Sequence, residues 1–300
     1  NGLQSKDVVV VMGYNSPQWF LAFHGTIQAG GVVAGCYSTN EEETCLYLAE
    51  NSNANRSITL GDNSFTLNSD SGHLNESGKT YVSWLWKANG SGSSNTDGSI
   101  NSTATSAEVT AGFSIVKYTG TGSNATIGHG LSTAPTALFV KNLDAAEQWI
   151  NYDVSSGPTK YYHLNMSSAT SVGSTIWNNT APTTSVFSVG TVANVNTNGA
   201  NYIAYCFSNI PGFSKVGGYK GNGSAGNGTF VYTGFKPSFI LVKRTNDAGN
   251  WVLKSQASPG YNVNNNYIYG NLDNAEASGS AVDFLSNGFK WRIDGANQNS

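Results

Sequence analysis

Charge is the scarcest ingredient of this sequence. Asp, Glu, Lys and Arg make up 11% of its 300 residues, against roughly 25% in an ordinary soluble domain, so solubility rests on the uncharged amides and hydroxyls of Asn, Ser and Thr. The 15 Lys and Arg residues are scattered and the formal net charge is only −3, which excludes the basic footprint of a nucleic-acid or anionic-membrane binder. Cysteine is nearly absent: Cys36, Cys45 and Cys206 are odd in number and lack metal-ligand or C-x-x-C spacing. They support neither a disulfide framework nor a zinc site, and each reads as a small buried apolar residue. The sequence opens at Asn1 with no initiator Met and no signal-peptide pattern, as expected of a fragment or processed product. Its most apolar stretch, Pro17 to Tyr37, is broken by Gln18, His24, Gln28 and Gly30-Gly31, so membrane insertion is not expected.

What is abundant is Gly (35 residues) together with Tyr (15), Phe (13) and Trp (7). Aromatic mass on this scale argues against disorder, and Gly and Asn supply tight turns between strands. Self-similarity organises the chain. GFSIVKYTGTG begins at Gly112 and GFSKVGGYKGNG at Gly212, 100 residues later; Ala134 to Trp149 recurs as Lys236 to Trp251, 102 residues later. That second match aligns Pro135 with Pro237, Lys141 with Lys243 and Trp149 with Trp251. Asn75-x-x-Gly78-x-x-Tyr81 answers to Asn196-x-x-Gly199-x-x-Tyr202, a turn feeding a strand, and Phe284 to Gly288 is aligned with Phe187 to Gly190.

Bulky and small side chains alternate along these strands, as in Val82, Trp84, Trp86 and in Ile203, Tyr205, Phe207. The expected fold is therefore mainly β: tandem antiparallel β-sandwich, jelly-roll-like repeats of about 100 residues. The divisions that follow are 56–88, the closing strands of an incomplete unit; 89–111, a Gly/Ser/Thr-rich linker with an edge strand near Ile100; 112–211, a complete sandwich; and 212–300, a second one lacking its closing Tyr-containing strand.

Residues 1–55 read differently. Val8 to Met12 suits a strand buried on both faces. Ser16 and Pro17 would open a helix with Trp19, Phe20, Phe23 and Ile27 on one stripe, stopped by Gly30-Gly31. Val32 to Tyr37 would be a second strand, and Thr39 or Asn40 would cap a helix carrying Glu41, Glu42 and Glu43 in its first turn. This short α/β segment is β-α-β-α.

The run DVVVVMGYNSPQWFLAFHGTIQAGGVVAGCYSTNEEETCLYLAENSNAN resembles an early segment of the adenylate-forming long-chain acyl-CoA synthetases of the bubblegum type. That family's phosphate loop ending in Pro-Lys-Gly, adenine motif, hinge and C-terminal lysine have no match here. Thr119 to Ser123 imitates a phosphate loop but lies between alternating β patterns, where a hairpin turn is expected. Residues 57–300, through WLWKANGSGSSNTDGSI, AGFSIVKYTGTGSNATIGHGLSTAP, APTTSVFSVG and FVYTGFKPSFILVKRT, resemble an uncharacterised repeat of virion structural and tail-fibre-like proteins of marine bacteriophages. The resemblance implies a non-enzymatic virion protein whose partners are other virion proteins or a host-surface glycan. Fibre analogy adds a homotrimer. Two other readings stay open: a truncated or chimeric acyl-CoA synthetase fragment, and a secreted carbohydrate-binding or adhesion module.

No catalytic, cofactor-binding or metal residue is assigned. His24, His73, His129 and His163 are far apart, Glu41 to Glu43 read as a solvated helix start, and Asp70, Asp144, Asp153 and Asp247 fall in separate turns. Trp149 and Trp251 are the candidate glycan contacts, since an aromatic face stacks on a sugar, with burial as domain anchors the competing reading. Lys141 and Lys243 are candidate partner contacts, or charges that discourage edge pairing.

Overall fold

The computed structural model describes residues 88–300 apart from 259 and 261, together with 8–12, 22–23, 58–60, 65–67, 77–78 and 82–86. Val8 to Met12 form the expected strand, β1 (Val8–Met12), which pairs antiparallel with β2 (Ala22–Phe23). Ala22 and Phe23 were expected in a helix; instead their backbones satisfy one edge of β1, in the register Val10 to Phe23 and Val11 to Ala22. The rest of the β-α-β-α expectation lies outside the described residues. A hairpin joins β3 (Ile58–Leu60) to β4 (Phe65–Leu67), and β5 (Val82–Trp86) lies on the other edge of β1.

The first repeat is built on one seven-stranded antiparallel sheet. In chain order its strands are β6 (Ala104–Glu108), β7 (Phe113–Thr119), β9 (Ala137–Asn142), β10 (Ile150–Asp153), β11 (Lys160–His163), β12 (Ser171–Val172) and β14 (Asn201–Phe207). Across the sheet they run β12-β11-β10-β9-β14-β7-β6. A facing pair, β8 (Ala125–Gly128) with β13 (Val186–Val189), and two single-turn helices, α1 (Ser174–Trp177) and α2 (Ala193–Asn196), cover one side. The sandwich is thus lopsided, seven strands against two, rather than an even two-sheet roll. Alternation assigns Val116, Tyr118, Leu138, Val140, Tyr202, Ala204 and Cys206 to this inner core, where they meet Ile127, Phe187, Val189, Trp177 and Val195.

Two expectations change here. The tract 89–111 is not a free spacer. It contributes β6, paired with β7 from Ala104 opposite Lys117 to Glu108 opposite Phe113, and Ile100 bridges in parallel to Ile127. Ser102 and Ser106 are buried, with Ser106 Oγ donating to Gly90 O. Small polar side chains suit a strand whose neighbours are backbone loops. Thr119 to Ser123 is likewise no hairpin, because β7 and β8 belong to different sheets. It is a corner between layers, and its N–H groups are taken: Thr121 N donates to Asn196 Oδ1 (2.8 Å) and Gly122 N to Asn196 O (2.9 Å).

The second repeat keeps the same plan with two three-stranded sheets. One is β15 (Phe230–Tyr232), β20 (Gly288–Trp291) and β19 (Val282–Leu285), in that order; the other is β16 (Phe239–Val242), β17 (Val252–Ser255) and β18 (Ile268–Tyr269). Between them lie Ile240, Val242, Val282, Phe284, Phe289 and Trp291. Among the described residues the architecture is mainly antiparallel β, with no closed barrel.

The repeats share hydrogen bonds as well as sequence. Tyr118 Oη donates to Val195 O at 2.7 Å, and Tyr219 Oη to Gln298 O at 2.5 Å. Asn196 Nδ2 donates to Ser123 O and Gly190 O, while Asn299 Nδ2 donates to Ser224 O and Ile293 O. These pairings equate β13 with β20. Val231 of β15 sits opposite Phe289 as Ile127 of β8 sits opposite Phe187. Phe289, not Phe284, is therefore the counterpart of Phe187; Phe284 belongs to β19, joined to β20 through the turn at Ser286-Asn287. The motif Asn-x-x-Gly-x-x-Tyr also gains a cause. Asn196 pins the corner, Gly199 takes the left-handed φ of 78° and Tyr202 Oη returns to Ala193 O. Gly78, at the matching position, has φ 75°.

One equivalence fails locally. Gly212 turns with positive φ as Gly112 does, but residues 213–219 form no strand. In the first repeat β7 is held by β14, and the described residues of 212–300 contain no strand equivalent to β14.

Tyr118→Phe leaves one buried carbonyl unsatisfied and is expected to cost about 1 kcal/mol in urea unfolding. Tyr219→Phe should cost more, about 2 kcal/mol, because Tyr219 Oη also accepts from Trp291 Nε1 at 2.8 Å. Equal costs would show that the bond from Trp291 adds nothing to the role of Tyr219.

Candidate functional site

The second face of the seven-stranded sheet also carries a buried apolar cluster. Phe113, Ile115, Ile203, Tyr205 and Phe207 point away from their own core and meet Phe239, Leu241, Leu253 and Ile268 of the second repeat. Trp86 joins them, edge-on to Phe207 at 5.6 Å and to Phe239 at 5.7 Å. The repeats therefore touch sheet to sheet, and the four layers run β8–β13, the seven-stranded sheet, β16–β17–β18, and β15–β20–β19.

Equivalent residues meet across this joint. Phe139 and Leu241 occupy the same repeat position, as do Trp149 and Trp251, and all four share one cluster with Tyr162 and Leu164. Such a contact, the same patch from both sides, is of the isologous kind. Trp149 stacks on Tyr205 with ring centroids 6.1 Å apart and planes at 18°. Trp251, 4% exposed, donates from Nε1 to His163 O of the first repeat at 2.8 Å. Both indoles thus serve as anchors of the joint.

Of the paired lysines, Lys141 is enclosed and Lys243 half-buried. Lys141 is 2% exposed, and its Nζ donates to Asn142 O (2.6 Å) and Ala145 O (2.9 Å), closing the loop after β9. It cannot guard an edge, because β9 lies between β10 and β14. Lys243 closes the matching loop through Arg244 O and Gly249 O and also reaches Ser167 O of the first repeat at 3.1 Å. Gly249 N to Ser167 O and Thr170 N to Thr245 O tie the same loops together.

Lys254 carried no sequence signal. It is fully buried at the repeat position of Tyr152, with three carbonyl acceptors around Nζ: Asn264 O, Asn266 O and Ser280 O. Three carbonyls match the three N–H groups of an ammonium and offset part of the burial cost. Burial still pulls Lys254 down to about 7, and Lys141 and Lys243 to about 8.

His129, Asp153, Asp144 and Cys206 are engaged within the fold. Leu131 N donates to His129 Nδ1, which assigns the proton to Nε2 facing Thr183 O, and burial lowers the pKa of this imidazole. Asp153 binds Ser155, Ser156 and Tyr162 Oη, and Asp144 accepts from Asn201 N. Cys206 is buried, its thiol pushed up to about 12 by desolvation. Among the described residues there is no group of three or more His, Cys, Asp or Glu able to hold a metal, and no helix is long and apolar enough to cross a membrane. His24, His73, Cys36, Cys45, Asp70 and Glu41 to Glu43 lie outside the described residues.

The family profile described as Domain of unknown function (DUF7483) matches residues 35–300. The N-terminal region is similar to long-chain-fatty-acid–CoA ligases of the bubblegum type. ACSBG1 of Rattus norvegicus is 44% identical over 54 residues, 18% of this chain and 8% of that protein; ACSBG2 of Gallus gallus is 53% identical over 47 residues, 16% and 6% respectively. ACSBG1 of Homo sapiens is 44% identical over 54 residues, again 18% and 8%. The chain thus spans less than a tenth of the length of these relatives. No solved structure matches it.

Trp251→Ala should remove the largest anchor of the joint and cost about 3–5 kcal/mol in urea unfolding. A cost under about 1 kcal/mol would mean that the joint does not depend on it. The caged lysines set a pH profile. Their folded pKa values of about 7 to 8 lie below the ordinary value of about 10.4, so the unfolded chain binds more protons between those limits. Stability should rise as pH increases from about 7 to 10 and reach its low plateau below about 7. Lys254→Met should flatten this slope in thermal melts across that range. His129 adds a second loss, from about pH 6.5 downward through its lowered folded value.

Proposed function

We propose, from the premise that the chain belongs to the DUF7483 domain family, that it is a non-enzymatic structural protein of a phage virion. In this reading it is a tail-fibre-like brick of paired β-sandwiches, assembled with other virion proteins and presenting its outer sheets to a host surface. The observation that supports it best is the joint. Two repeats spend a whole sheet face on each other, with Trp149 and Trp251 as anchors. That arrangement stiffens a rod or shell element. The residues prominent in the sequence are used up in packing, as in a protein whose task is mechanical. Trimerisation is the assembly expected by fibre analogy.

The rival reading, a piece of an acyl-CoA synthetase, draws on the short N-terminal similarity. In the loop resembling a phosphate loop, Thr121 N and Gly122 N are occupied by Asn196 and Gly120 N by Ala200 O, which favours the structural reading. Two measurements test it. Immunogold labelling of intact virions carrying the gene is expected to decorate the particle surface; label confined to soluble cell lysate overturns the proposal. ATP–pyrophosphate exchange with long-chain fatty acids is expected to stay at background, and fatty-acid-dependent exchange would favour the rival.

A further inference from the structure

The two repeats also differ on the outer face of β8 and its counterpart β15. On β15, Val231 points into the core, while Phe230 and Tyr232 point outward and remain 44% and 59% exposed. The matching residues of β8 are Thr126 and Gly128, opposite Ser188 and Val186 as Phe230 and Tyr232 are opposite Lys290 and Gly288. In the first repeat that strand is covered. Ser99 N donates to Thr126 Oγ1 at 2.9 Å, and a Cβ on Gly128 would fall 1.7 Å from Asn95 Oδ1. The fold thus works with small, covered residues at these positions, and the second repeat instead places two bare rings there. An exposed aromatic pair that packing does not require calls for another cause.

The rest of the outer face of β15–β20–β19 is polar and cationic. One row across the sheet reads Phe230, Lys290, Asp283, and the next Tyr232, Gly288, Leu285. Gly288 is buried between Tyr232 and Leu285, and the Phe230 ring lies over it: a Cβ there would come within 3.0 Å of that ring and 2.1 Å of Val231 O, so the close approach requires glycine. Arg292 pairs with Asp283 at 2.5 Å. Lys290 Nζ donates to Asn227 Oδ1, and Lys215 Nζ lies 5.3 Å from the centre of the Tyr232 ring while donating to its carbonyl. Neither ion pair among the described residues uses Lys215 or Lys290. The face therefore carries three cations against one carboxylate.

We propose that this face binds an acidic polysaccharide, with sugar rings laid on Phe230 and Tyr232 and carboxylates of the chain set against Lys215 and Lys290. Aromatic faces supply the apolar platform for the C–H side of a pyranose, and the uncompensated ammonium groups select a polyanion over a neutral glucan. An open sheet face, rather than a closed cavity, suits a run of sugars in a long polymer. The inference rests on the surface-contact reading above and gives that contact a place on the molecule.

Affinity electrophoresis of the full chain against polygalacturonate, alginate and polysialic acid, with dextran as the neutral control, tests it. The wild type is expected to be retarded by at least one of the three acidic polymers and not by dextran, with retardation weakening as salt is raised. Phe230→Ala with Tyr232→Ala, and separately Lys215→Glu with Lys290→Glu, should each weaken binding about tenfold or more. Their far-ultraviolet circular dichroism should stay unchanged, since these side chains lie outside the core. Retardation by dextran to the same degree, none by any acidic polymer, or full binding by the aromatic double variant overturns the inference. Virion labelling is read independently, so a failed glycan site and a failed virion assignment are told apart.

Discussion

Phe113, Ile115, Ile203, Tyr205 and Phe207 sit on a sheet whose opposite face is already committed to a core. A sheet with two apolar faces cannot leave either in water. At about 25 cal/mol per Å² of apolar surface removed from solvent, covering the second face outweighs any single hydrogen bond in the molecule. Its cover is the sheet of the next repeat, through Phe239, Leu241, Leu253 and Ile268. The loops at the ends of β9 and β16 are then fixed by what lies beneath them. Lys141 and Lys243 close those loops from inside because their strands run into a buried layer, and ammonium groups there find only carbonyl oxygens.

Because the same face is used from both sides, repetition here does not read as simple stacking. Head-to-tail contacts between unlike faces would propagate through any number of units, whereas like faces meeting close the contact at two. The near-equivalence is incomplete in an informative way. Lys243 bonds across the joint to Ser167 O, while the bonds of Lys141 to Asn142 O and Ala145 O stay within its own loop. Trp251 bonds across through Nε1, and Trp149 instead lies flat on Tyr205. Sequence drift has therefore been accepted at the contact so long as both indoles remain in it.

Much of this is legible in the sequence: the mainly β class, the alternation along β14, and the pairing of Trp149 with Trp251 through their period. What was not legible depended on register. Lys254 lies opposite Ile240, and only that pairing places it inside. β6 was hidden because Ala104, Thr105, Ser106 and Ala107 have the composition of a linker, and only their pairing with β7 marks them as strand. The alignment of Phe284 with Phe187 fails because Phe284 and Phe289 lie in adjoining strands that flank one turn, and one-letter patterns do not say which strand faces β15. The roles of Trp149 and Trp251 follow the same rule. Residue type marks them as able to meet a sugar or a core, and burial alone decides between these.

Divergence between the repeats then carries more information than their likeness. Residues held in common, such as Tyr118 with Tyr219 and Asn196 with Asn299, all make the same internal bonds, so their recurrence is explained by folding. Positions that differ without cost to folding are free to answer to something else. Thr126 and Gly128 against Phe230 and Tyr232 form such a pair, on strands that hold the same place in both sandwiches. The first strand is roofed by Asn95 to Ile100, and the second is bare. A repeat protein with its like faces closed against each other has only its outer sheets left to offer, and on one of them the rings stand where packing needs none.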